Sequence, residues 1–217
     1  MIAKCQKLMY TSDKLLTPAM SQITEAVLNV ARSLPEGGLL SPKEFLHLGS
    51  RAAVDQALTR LTREGQLLRV GRGTYAYPVQ GRFGSRPPST EAVVQAIGSV
   101  SGETIVPNGA AEANALGLTT QVQVREVFIT SGRSRTLQLG SRKVELKHGN
   151  HLQLLFGKRP AGAAIRALSW LGPGEGGKAL KKIHGSLPRS EWDAVRAARA
   201  AMPSWMAKAV GAVSANG

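Results

Sequence analysis

The run Arg60-Leu61-Thr62-Arg63-Glu64-Gly65-Gln66-Leu67-Leu68-Arg69-Val70-Gly71-Arg72, continued by Gly73-Thr74-Tyr75, constrains the fold more than any other part of this chain. It ends an amphipathic helix, turns at one glycine and opens a short β-hairpin with an arginine at its tip. A helical apolar stripe and a period-two alternation demand different backbones, so the change of period at Gly65 marks a change of element. A helix leading directly into a hairpin is how a winged helix-turn-helix is assembled. Double-stranded DNA is the partner such a module implies.

The residues before this run complete the expected module. Ser21 to Leu34 carries Ile23, Val27, Val30 and Leu34 at helical spacing, with Ser21 as N-cap and Thr24 and Asn29 facing outward. Pro35-Glu36-Gly37-Gly38 stops that helix. Ser41-Pro42-Lys43-Glu44 has the spacing of a capping box and predicts a short second helix over about 42–47, broken at Gly49. Ser50 caps a third helix that runs to about Glu64 and buries Val54, Ala57, Leu58 and Leu61.

The opposite face of the third helix holds Arg51, Asp55, Gln56, Thr59, Arg60 and Arg63. In a helix-turn-helix that face enters the major groove, where arginine can fork onto guanine and glutamine onto adenine. Arg51 and Gln56 are therefore the candidate base contacts, with Ser50, Thr59 and Arg60 beside them. A solvated face in which Arg60 and Arg63 pair with Glu64 fits the same residues. After Gly65, Leu68 and Val70 and then Tyr75 and Tyr77 predict two strands joined by Gly71-Arg72-Gly73. Arg69 and Arg72 then reach phosphate or the minor groove, and the two tyrosines pack the hairpin on the third helix.

Composition agrees with a polyanionic partner. The 28 Lys+Arg against 14 Asp+Glu give a formal charge of +14 and a pI near 10.6. The excess is greatest after residue 150, where 10 basic side chains face 3 acidic ones. No apolar stretch approaches the roughly 18 to 20 residues of a spanning helix, so a membrane partner is not expected and a cytoplasmic location is. The single cysteine, Cys5, cannot form an internal disulfide or a thiolate cage.

The expected fold class is α+β, a winged helix-turn-helix followed by a small mixed α/β domain with a helical basic tail. Residues 1–19 are expected as a disordered leader, 20–79 as the winged helix, 80–89 as a Gly, Pro and Ser-rich link, and 90–217 as the second domain. Within the latter, helices are predicted for Thr90 to Gly98 and Gly109 to Leu116, and extended chain for Thr104 to Val106 and Arg125 to Thr130. A hairpin is predicted from Leu137 and Leu139 through Gly140-Ser141 to Val144 and Leu146. Further helices are predicted over Ala163 to Leu171, Lys178 to His184 and Glu191 to Val213, with a break at Pro203.

Chemistry beyond binding finds little footing. No nucleophile elbow, paired-carboxylate motif or metal cluster is visible, and no cofactor is expected. Gly172-Pro173-Gly174-Glu175-Gly176-Gly177-Lys178 has the spacing of a phosphate-binding GxxxxGK loop, but Ala179 replaces the hydroxyl that would hold Mg²⁺ and a predicted helix precedes it. A glycine-rich helix connection is the expected structure there. His148-Gly149-Asn150-His151 lacks the spacing of a metal site and is expected as a solvated loop. Lys178, Lys181 and Lys182 form one basic helical patch, and Arg189, Arg196 and Arg199 share a face with Trp192. These six are candidate secondary phosphate contacts, or a surface for an acidic partner.

Several strings also resemble a known family. Ser50-Arg51-Ala52-Ala53-Val54-Asp55-Gln56-Ala57-Leu58-Thr59-Arg60-Leu61 and the run from Gly65 to Tyr75 look like the N-terminal winged helix of AbiEi-type antitoxins of type IV toxin–antitoxin systems. Val106-Pro107-Asn108-Gly109-Ala110-Ala111-Glu112-Ala113-Asn114-Ala115-Leu116-Gly117-Leu118 and Val127-Phe128-Ile129-Thr130-Ser131-Gly132 resemble the segment that follows the wing in that group. The resemblance covers about residues 22 to 150. The residues themselves point to a non-enzymatic DNA-binding regulator, a monomer or weak dimer on paired sites, and the resemblance implies an antitoxin that represses its own operon. It also implies a nucleotidyltransferase-like toxin as functional partner, with direct contact between the two left open. Two alternatives remain: an enzyme using phosphorylated or nucleotide substrates through 172–178, and a ligand-responsive repressor without a toxin.

Overall fold

The computed structural model describes residues 18–215 except Val122, with side chains placed for 22–213 apart from that residue. The expected leader lies outside these residues except at its end, where α1 (Pro18–Ser33) begins a turn before Ser21. Ser21 is thus inside the helix and not its cap. Proline suits a first turn, because its fixed φ is helical and its missing N–H is a donor that a helix start leaves unpaired anyway. The buried stripe is Ile23, Val27 and Ala31, four apart, while Val30 points off its edge and is 37% exposed.

Strand β1 (Leu39–Leu40) follows, too short for any alternation to announce it. The capping box forms: Ser41 N–H donates to Glu44 Oε1 at 2.7 Å, and Ser41 Oγ accepts from Lys43 N–H at 3.4 Å. It starts a 3₁₀ turn (Pro42–Phe45), not an α-helix reaching residue 47, and buried Phe45 anchors it. Helix α2 (Arg51–Arg63) is capped by Ser50 Oγ, which accepts from Ala53 N–H at 3.3 Å, and buries Val54, Ala57, Leu58 and Leu61 as expected.

Gly65, with φ +71°, turns the chain, and the N–H groups of Gln66 and Leu67 both donate to Leu61 O. Strands β2 (Leu68–Gly71) and β3 (Thr74–Ala76) form the expected hairpin, with a shift in register between Arg69 and Gly71. Because Gly71 pairs with Thr74, the connection is only Arg72-Gly73, shorter than the expected three residues. Strand β1 joins the other edge of β3, giving the order β1-β3-β2. Tyr75 and Tyr77 pack on the α1/α2 core, as the spacing predicts.

The glycine-rich link is itself folded. Strands β4 (Val79–Gly81) and β5 (Gly84–Arg86) pair around an Arg82-Phe83 tip on which Phe83 is fully exposed. Glu36, just after α1, accepts hydrogen bonds from Ser89 N–H at 2.9 Å and Arg86 Nη1 at 3.1 Å. These donors, Ser89 first, hold its carboxyl below the ordinary value of 4.5.

Helix α3 (Thr90–Ser101) runs three residues past the predicted Gly98 and ends at Gly102 in the left-handed region. Strand β6 (Ile105–Pro107), helix α4 (Gly109–Ala115), and strands β7 (Glu126–Thr130), β8 (Arg135–Leu139) and β9 (Arg142–His148) follow. The sheet order is β6-β7-β9-β8. The β8/β9 hairpin has the predicted register, Leu137 opposite Val144, and buries Leu137, Leu139, Val144 and Leu146. The parallel β7/β9 pair, Phe128 opposite Leu146, was not anticipated.

The two halves share a core. Tyr75 faces α1 and α2, whereas Val70 and Ala76, on the other face of the first sheet, pack with Val93, Ile97, Leu137 and Leu139. The pleat sends neighbouring side chains to opposite faces, so one small sheet serves both layers.

Helix α5 (His151–Leu154) places His151 at its first residue, and His148 ends β9 with Nδ1 2.8 Å from Gly132 O, so neither sits in a loop. Helix α6 (Pro160–Ser186) joins the two predicted helices across a kink at Gly172, φ +72° and ψ −176°, followed by Pro173. Helices α7 (Arg189–Ala197) and α8 (Ser204–Ala215) follow, with a 3₁₀ turn (Ala198–Ala201) between them and Pro203 at the expected break. Their core holds Leu168, Leu180, Ile183, Trp192, Val195, Met206 and Val210. The whole is a mixed α/β protein of the α+β kind. Among the described residues no helix is long and apolar enough to cross a membrane, and no group of three potential ligands could hold a metal.

Candidate nucleic-acid interface

A cleft of about 540 Å³ opens between the 3₁₀ turn, the Arg51-Asp55-Thr59 face of α2 and the tip of the β2/β3 hairpin. Four cations line it: Lys43, Arg51, Arg69 and Arg72. Local structure explains the convergence. The capping box sets Lys43 beside the start of α2, the Ser50 cap fixes where Arg51 projects, and the two-residue connection carries Arg72 at its outermost point. Asp55 is the one carboxylate on the walls among the described residues, and it accepts from Arg51 Nε at 2.9 Å. Both side chains are about half exposed, so the pair orients Arg51 more than it stabilises the helix. Thr59, also on the wall, donates its hydroxyl to Asp55 O at 2.7 Å.

The predicted contacts therefore divide. Arg51, Thr59, Arg69 and Arg72 meet in the cleft, whereas Gln56 and Arg60 lie outside it. Gln56 is exposed and its side-chain amide makes no hydrogen bond among the described residues, so it is available on the outer surface of α2. Arg60 donates to Glu64 at 2.7 Å, the pairing that the solvated-face alternative allows, and Glu64 also accepts from Gln66 at 3.2 Å. Ser50 spends its hydroxyl on the cap. Among the described residues, Lys43, Arg69 and Arg72 make no ion pair. Lys43 was not on the predicted contact surface; its signal was its place in the capping turn, which governs what stands next to α2.

The basic tail is less uniform than its sequence. Lys182 donates to Gly117 O at 2.6 Å, and Lys178 lies 3.9 Å from Glu175. Lys181 is exposed and makes no ion pair among the described residues. Arg196 pairs with Asp193 at 3.3 Å, and Arg199 donates to Arg196 O at 3.0 Å. Trp192 is 5% exposed and belongs to the interior, so it does not share the face of exposed Arg189, Arg196 and Arg199. The GxxxxGK spacing does not make a phosphate loop. Residues 173–178 continue the helix, and Gly176 is where the α8 ring of Trp205 packs, 2.7 Å from a hypothetical Cβ.

A mixed α/β protein with a basic cleft between a helix and a hairpin tip is the class that fold and site define. By sequence, residues 23–193 match the model of a family of unknown function, DUF6088, and the chain belongs to that family. No curated protein matches. Among solved structures, the chain is similar to the crystal structure of the RV2827C protein from Mycobacterium tuberculosis, with 14% identity and a TM-score of 0.40 over 92% of this chain and 80% of the other.

Proposed function

We propose that the N-terminal unit is a winged helix-turn-helix that binds operator DNA, and that the protein is an autorepressing antitoxin of the AbiEi type opposing a nucleotidyltransferase-like toxin. The observation that carries the DNA half is the cleft in which Lys43, Arg51, Arg69 and Arg72 converge with only Asp55 against them. Lys43, Arg69 and Arg72 so placed meet phosphates, while Arg51 at the start of α2 and Gln56 on its outer face read base edges. The antitoxin half rests on the resemblance of residues 22 to 150. With residues 173–178 helical after the kink at Gly172, the nucleotide-using alternative has less to support it.

Gel shifts on the DNA upstream of the gene test the DNA half. Arg51→Ala or Gln56→Ala relaxes base preference at a cost of about 1 to 3 kcal/mol, and Arg72→Ala weakens all duplexes alike and lowers the salt slope by about 1. Unchanged binding in all three variants removes this assignment. Growth on co-expression with the neighbouring gene tests the antitoxin half; a neighbour that is harmless alone, or whose toxicity this chain does not relieve, counts against it.

A further inference from the structure

On the other side of the hairpin tip from the basic cleft lies a second cavity, of about 520 Å³, closed by α3 and β8. Its apolar wall includes Leu39, Ile97, Val100 and Leu137. Val100 is 78% exposed, a large apolar side chain left in water at the rim. Arg72 and Arg135 also line the cavity. The charge of Arg135 is answered by Glu103 at 2.9 Å, whereas Arg72 has no acidic partner among the described residues. Among the described residues Glu44 is the one carboxylate on the wall, and its Oε1 accepts from the backbone N–H of Ser41.

Ser41, Arg72 and Gly73 line both cavities, so a single thin wall divides them. A molecule seated on one side touches the residue that the other side needs. We propose that this second cavity is an effector site for a small amphipathic anion, with its apolar body against Val100 and its charge on Arg72, and that occupancy weakens DNA binding by withdrawing Arg72 from phosphate. Loss of one phosphate contact makes the duplex affinity fall and its salt dependence shallower. The regulatory half of this proposal rests on the DNA reading above; the binding half does not.

The test uses the full chain, with anilinonaphthalene sulfonate as fluorescent probe and octanoate as competitor. Saturable fluorescence displaced by octanoate is expected, weakened about tenfold or more by Val100→Asp, the equivalent of one lost favourable contact of about 1.4 kcal/mol. Val124→Asp, at a valine 99% exposed elsewhere, is expected to change nothing. Probe binding insensitive to both Val100→Asp and Arg72→Ala overturns the site. At constant ionic strength, octanoate but not acetate is expected to weaken binding to a duplex, and Val100→Asp to abolish that response. Duplex affinity indifferent to octanoate overturns the coupling. Val100-dependent probe binding by a chain with no duplex affinity upholds the site and refutes the DNA reading instead.

Discussion

Arg166 brings a guanidinium into the interior, with 2% of its surface exposed. Its donors are answered by Glu112 Oε1 at 2.7 and 3.2 Å, Gly157 O at 2.9 Å and Gln153 O at 3.3 Å. One side chain thereby ties α6 to α4 and to the turn after α5. Removing it leaves Glu112 without a partner, so Arg166→Ala is expected to lower stability by about 3 to 5 kcal/mol, whereas replacing both partners together with apolar residues is expected to cost far less. Urea unfolding measures both. Glu191 does a related job at the surface. Its carboxylate accepts from Ala161 N–H at 3.0 Å and from Arg159 at 3.1 Å, and these donors, the backbone first, hold its pKa below 4.5. A depressed carboxyl stabilises the fold above its unfolded value and loses that contribution as pH falls through its folded one. Glu191→Gln is therefore expected to flatten the decline of thermal stability below pH 4.5, relative to the parent chain.

Elements with a local signature were legible in the sequence. The Ser41 box, the Ser50 cap, the Val54-Leu58-Leu61 stripe and the Leu137/Val144 alternation each depend on a few neighbouring residues, and each is present. Strand β1 is two residues long, and β4 and β5 are mostly polar or glycine, so no periodicity could mark them. The candidate site was legible as a set of cations but not as a cleft. Which of Arg51, Gln56 and Arg60 would line it depends on where the 3₁₀ turn ends and how tightly the hairpin connects. Helix α6 shows a further limit: Gly172 and Pro173 signal a break, yet packing against α8 restores the helix immediately after it. Gly176 makes that packing possible. Gly176→Ala should push α8 away and cost about 1 to 3 kcal/mol, read as a lower midpoint in urea, while Gly177→Ala, with open space around it, should not.

At the scale of the molecule, Val70 and Ala76 join the first sheet to the core of the second half. A fragment ending near residue 79 leaves both side chains, with half-buried Leu39 beside them, facing water. Circular dichroism and thermal melts should show it far less stable than the full chain, or associated; a fragment that melts like the parent would mean the shared core contributes little. The sheet order β6-β7-β9-β8 has its own consequence. Strand β9 lies between two strands that both precede it in the chain, so the edge of β7 stays unpaired until residue 148 has been made. As synthesis proceeds from the N-terminus, that edge waits through the whole of β8, and pairing with another copy is the hazard during the wait. The β8/β9 hairpin, joined by a two-residue turn, can close by itself and dock as a unit, which keeps the interval short.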